Sequence, residues 1–117
     1  MSFNGTSDVI TVSDPVGGSL DFVDGADFTV VGWLYRNTEN TKDGIVNKEV
    51  GGDSVPGYKL LLLNLSTEQL YFNISDGSQS YDFYSLADIP TRQWVHFALV
   101  WDDDSEANTK FFVNVLS

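Results

Sequence analysis

An all-β, antiparallel sandwich is what this chain of 117 residues is expected to form. Apolar residues alternate with a period of two along most of its length. Clusters of Gly, Pro, Asn, Asp and Ser interrupt that alternation at short intervals, as turns do between short strands. No convincing helical stretch competes with this pattern.

The elements follow in order. After a turn-like FNGTSD, Ile10 and Val12 open the first predicted strand. In DFTVVGWLYRN, Phe28, Val30 and Leu34 share one face, and Thr29, Val31, Trp33 and Tyr35 share the other. NTENTKDG reads as a polar loop, GIVNKEV as a short strand, and GGDSVPG as a loop by its Gly and Pro content. GYKLLLLN and EQLYFNISDG form a hairpin joined near Ser66-Thr67, and the run Leu60 to Leu63 fits a buried strand. Leu70, Phe72 and Ile74 face one way, while Tyr71, Asn73 and Ser75 face the other. SQSYDFYSLA is a further strand. In QWVHFALVW, Val95, Phe97, Leu99 and Trp101 oppose Trp94, His96, Ala98 and Val100. Apolar character on both sides predicts a central, covered strand. The last strand turns Phe111, Val113 and Val115 inward, and Trp33, Trp94 and Trp101 are expected to fill the core or clamp the sheets.

Length and patterning indicate one domain, residues 1–117, with no repeat, linker or low-complexity tract. The apolar fraction of 42% suits a packed core. No apolar run approaches the ~18 residues of a membrane span, and no basic segment followed by an apolar stretch marks a signal peptide. Six Lys and Arg face 17 Asp and Glu, a formal charge of −11. Nucleic acid and anionic membrane surfaces both require a positive footprint that is absent here. With no cysteine, disulfides, thiol catalysis and cysteine-ligated zinc are excluded. The acidity reads as solubility or, more sharply, as carboxylates that hold calcium.

Several stretches together resemble the laminin-G-like, concanavalin-A-like jelly-roll family of secreted bacterial and phage proteins. MSFNGTSDVITV is similar to its opening strand, DFTVVGWLYRN to its Phe-Thr-hydrophobic-Glu-Ala-Trp strand, and GIVNKEV with GYKLLLLN to its Ile-Val-Ser-Lys and Gly-Tyr-hydrophobic pair. TRQWVHFALVWDDDSEANTKFFVN resembles its Gln-Trp-His-hydrophobic strand, acidic turn and Tyr-Val-Asn strand. Val31 and Gly32 depart from the family's Glu and Ala. The family's Val-Asn-Gly turn appears as Val113-Asn114-Val115 shortly before the sequence ends. The resemblance therefore implies an antiparallel jelly roll, incomplete at its C-terminus and lacking the last strands. Self-association through the open sheet edge is the corresponding expectation.

The resemblance implies non-catalytic binding, of a carbohydrate at a cell surface or in the extracellular matrix. The alternative is a structural or adhesion module of a virion, tail fibre or adhesin with no sugar site. Glucanases on this fold carry carboxylates spaced Glu-x-Asp-x-x-Glu. None of the four glutamates, Glu39, Glu49, Glu68 and Glu106, has an Asp two residues later, so no enzyme is expected. His96 is read as a framework residue, since it lacks the partners of a zinc site. Sugar binding needs exposed aromatic faces with amides and carboxylates nearby. Tyr35, Tyr71, Tyr81 and Tyr84 meet the first need, with Asn73 following Tyr71 and Asp82 beside Tyr81. For calcium, Asp102, Asp104, Glu106 and Asn108 alternate as oxygen ligands do. Ala107 and Val113 break the EF-hand pattern. Asp21, Asp24 and Asp27 form the second candidate set, and rim loops of the family hold calcium. Sequons stand at Asn4, Asn64 and Asn73.

Overall fold

The computed structural model of the protein describes residues 1–22, 25–39, 41–49, 55–64 and 68–115, with the side chain of Val115 outside the described set. The hairpin junction at Ser66-Thr67, most of the Gly-rich loop (51–54) and Asp24 likewise lie outside it. Seven strands follow in chain order: β1 (Phe28–Tyr35), β2 (Asp43–Lys48), β3 (Gly57–Leu62), β4 (Gln69–Ser75), β5 (Ser80–Asp88), β6 (Trp94–Trp101) and β7 (Lys110–Val115). A 3₁₀ turn at Glu106–Asn108 is the only helical element among the described residues. The strands form two antiparallel sheets, β1-β6-β7 and β2-β3-β4-β5. This is the β-sandwich that the period-two alternation predicts.

The core fills the space between the sheets. One side supplies Tyr58, Leu60, Leu62, Leu70, Phe72 and Ile74, and the other Val95, Phe97, Leu99 and Trp101. Phe28, Val30 and Leu34 of β1 and Phe111 and Val113 of β7 pack against this cluster. Leu60 to Leu63 are all buried, as a run of undiluted leucine demands. Each strand thus turns alternate residues inward, as its sequence requires.

One close approach fixes how β2 and β3 pair. A Cβ on Gly57 would stand 2.4 Å from the Lys48 carbonyl oxygen, so only glycine lets β2 and β3 meet there. A charged clasp joins the two sheets. The Arg36 guanidinium, just beyond β1, pairs with the Glu68 carboxylate, just before β4. The same guanidinium donates to the Thr41 carbonyl at 3.2 Å.

Two expectations are corrected. Ile10 and Val12 stand in an exposed segment outside the strands. Their alternation satisfies the strand pattern, but pairing requires a neighbour, and the segment has none among the described residues. Second, β6 is central in its sheet but covered on one face only. Trp33 and Trp94 point away from the core, and Trp101 alone of the three tryptophans lies within it. The strand phase accounts for this. Trp33 alternates with the inward Leu34, and Trp94 with the inward Val95.

Candidate functional site

The residues best suited to hold a ligand collect on the outer face of the four-stranded sheet. Antiparallel register sets Tyr71 of β4 opposite Tyr84 of β5, and Asn73 opposite Asp82. All four therefore share one face, while Leu70, Phe72 and Ile74 point into the core. The Tyr71 and Tyr84 rings lie 5.2 Å apart, tilted by 43°. Tyr84 remains 49% exposed.

A hydrogen-bond network stiffens this face. The Tyr71 hydroxyl donates to Asp82 Oδ1 at 2.6 Å, and Asn73 Nδ2 donates to the same oxygen at 2.8 Å. Asn73 also donates to Ser80 Oγ at 2.7 Å. At 1% exposure, Asn73 does not reach solvent. Its part is to hold the Asp82 carboxylate in one orientation, and its sequon is closed to modification in the folded chain. Lys59, opposite Asn73 on β3, pairs with Glu49 at 2.8 Å. The face thus presents an exposed phenol ring beside a carboxylate whose rotamer is already fixed.

The other sugar-site candidates lie elsewhere. Tyr81 turns inward, with its ring 6.0 Å from Trp101 and its hydroxyl donating to Gln79 at 2.5 Å. Tyr35 sits on the outer face of the opposite sheet, 5.5 Å from Trp94. The face thus joins Tyr71, Asn73 and Tyr84 and leaves out the remaining two. Sequence reasoning sets Asp82 beside Tyr81, its chain neighbour, whereas strand pairing joins it to Tyr71 and Asn73.

The acidic candidates mark one end of the sandwich. The Asp103 backbone N–H donates to Asp27 Oδ1 at 2.9 Å, which ties the two predicted loops together. Beside them lies a cleft of about 390 Å³, lined by Asp76, Tyr81, Trp101, Asp103, Asp104 and Glu106 among others. Asp102 instead accepts from Asn108 Nδ2 at 3.0 Å. Asp21 is occupied by Lys48, whose ammonium Asp21 and Asp14 hold above the usual lysine range. Among the described residues, no three His, Cys, Asp or Glu side chains are grouped so as to hold a metal ion.

Asp76 carries a pH signature. Backbone N–H groups of Gln79 and Ser78 hold its carboxyl below the usual aspartate range. The fold thus favours the ionised form, so this contribution is present above the ordinary value and is lost as pH falls through the lowered one. In Asp76→Asn the amide oxygen accepts the same bonds without titrating. Urea midpoints measured from pH 6 downward are expected to fall for the wild type below about pH 4, and less steeply for the variant.

A laminin-G-type family model, described as the Concanavalin A-like lectin/glucanases superfamily, matches residues 4–115, nearly the whole chain. Neither the curated proteins nor the solved structures yield a match.

Proposed function

The chain belongs to the concanavalin A-like lectin/glucanase superfamily, and from that premise we propose that it is a non-catalytic module that binds neutral glycans on the outer face of its four-stranded sheet. The family supports a binding role in general, and its laminin-G-like members are typically non-catalytic and commonly extracellular. No helix among the described residues is long and apolar enough to cross a membrane. The proposed setting is a cell surface or extracellular matrix.

Asp82 is pinned by Tyr71 and Asn73 beside the exposed ring of Tyr84. A pyranose has an apolar face and a rim of hydroxyls. The Tyr84 ring offers the first a stacking surface, and the Asp82 carboxylate offers the second an oriented acceptor. Because the network holds Asp82 before a ligand arrives, little conformational entropy is lost on binding. The carboxylate and the −11 charge of the chain select against sulfated and uronic-acid glycans, which they repel.

A glycan array tests this. Retention on neutral oligosaccharides with little on sulfated or uronate-bearing ones is the expected result, with the bound glycan recovered uncut. A blank array, or retention confined to acidic glycans, contradicts it. The proposed contacts are Tyr84 and Asp82 themselves, so a chelator leaves retention unchanged. Calcium-dependent retention would instead move the site to the acidic rim loops.

A further inference from the structure

The two outer faces of the sandwich differ in chemistry. On the three-stranded sheet, register arranges the outward side chains as a grid. Tyr35 lies beside Trp94. Trp33, His96 and Asn114 form the next row, Val31, Ala98 and Phe112 the third, and Thr29, Val100 and Lys110 the last. Val31, Trp33, Tyr35, Trp94 and Phe112 are each between 44% and 62% exposed. Trp33 packs edge-on to His96 at 4.9 Å, and Tyr35 edge-on to Trp94 at 5.5 Å, so the aromatic rings brace one another without being covered.

Among the described residues, none of these outward positions carries a carboxylate, although the chain has 17 Asp and Glu. Lys110 stands at one corner, and His96 lies on the centre line. We propose that this face is where two copies of the chain meet, sheet against sheet. Charge identifies the occupant. Two chains of −11 repel one another, and this face brings them together through described strand positions that hold no acidic group. A basic partner would be drawn to the acidic surfaces instead. A two-fold contact must also be self-complementary, and a face of aromatic and aliphatic side chains meets that condition against itself.

The size sets the strength. Three strands and four outward rows make a patch of roughly 15 by 25 Å. Half-exposed aromatic side chains of 150–250 Å² each bring roughly 400 Å² of removable surface before their aliphatic neighbours are counted. This falls toward the small end of specific interfaces, so the dimer dissociates on dilution. The contact lies on the sheet face and does not use the unpaired backbone of an edge strand.

Sedimentation velocity across a concentration series tests the proposal, with tryptophan emission recorded on the same samples. The wild type is expected to pass from monomer to dimer as concentration rises. Trp33 and Trp94 emission should shift to shorter wavelength with it, while Trp101 is already buried. Val31→Glu sets a carboxylate in the middle of the face without touching the core. It should weaken dimerisation about 100-fold or more and leave the thermal melt of the monomer unchanged. Asn47→Lys, exposed on the edge strand β2 of the other sheet, should leave dimerisation intact. A monomer at every concentration overturns the proposal. So does a dimer that Val31→Glu leaves intact, or one that only Asn47→Lys disrupts, since the latter is edge pairing. An emission shift driven by glycan and not by protein concentration also overturns it, and makes the face a sugar platform.

Discussion

Replacing Arg36 with alanine lowers the unfolding free energy by about 3–5 kcal/mol, a large share of what a domain of this size possesses. Arg36 is 5% exposed, and its guanidinium links the end of β1 to the residue before β4. The two strands belong to different sheets. Removing the cation leaves the Glu68 carboxylate in a mostly buried position without its charge partner. The cost comes chiefly from that stranded charge and much less from the net value of the pair. The double variant Arg36→Met, Glu68→Leu removes both charges together and is expected to lie closer to the wild type than Arg36→Ala does. Urea denaturation of the three proteins measures this. Equal losses in the single and double variants would assign the effect to lost packing around the Arg36 stem.

Phe72→Ala is expected to cost about 3–5 kcal/mol as well, through a cavity. Phe72 has no exposed surface. Its ring lies 6.0 Å from Phe28, 6.4 Å from Phe83 and 6.1 Å from Trp101, so it touches partners from both sheets. Those partners belong to strands fixed by their own ladders and cannot collapse into the space. Phe72→Leu keeps most of the volume and should cost under about 1.5 kcal/mol. Leu86→Ala, on a fully exposed side chain, should stay within about 0.5 kcal/mol. Denaturant midpoints for the series give the ordering directly.

The fold was legible because each strand carries its phase in its own residues. Phe28, Val30 and Leu34 fix the inward face of β1, and Leu70, Phe72 and Ile74 that of β4, without reference to any neighbour. The same phase read strictly would have turned Trp33 and Trp94 outward. Apolarity argued for their burial, yet a large aromatic ring in a strand obeys the backbone first. Ile10 and Val12 show the converse limit. Alternation marks a segment able to pair, but pairing depends on a second strand that local sequence does not specify.

The candidate site was legible in part. Tyr71 and Asn73 share a face by simple alternation. Asp82 and Tyr84 join them only through the register between β4 and β5, which the turn at Asp76–Gln79 sets. Nor does spacing in the chain reveal that Asn73 is spent on holding Asp82. The acidic loops illustrate the same point, since Asp27 and Asp103 meet across 76 positions of sequence.

Calorimetric titration of wild type, Asp82→Asn and Tyr84→Ala with the best-retained neutral oligosaccharide measures what each proposed contact contributes to glycan binding. Asp82→Asn loses a charge-assisted hydrogen bond, and about a 10- to 100-fold weaker affinity is predicted. Tyr84→Ala removes the stacking surface and should weaken binding by a similar factor, while Tyr81→Phe, on an inward ring, should bind as the wild type does. Equal affinity in all four proteins would move the glycan site off the four-stranded sheet.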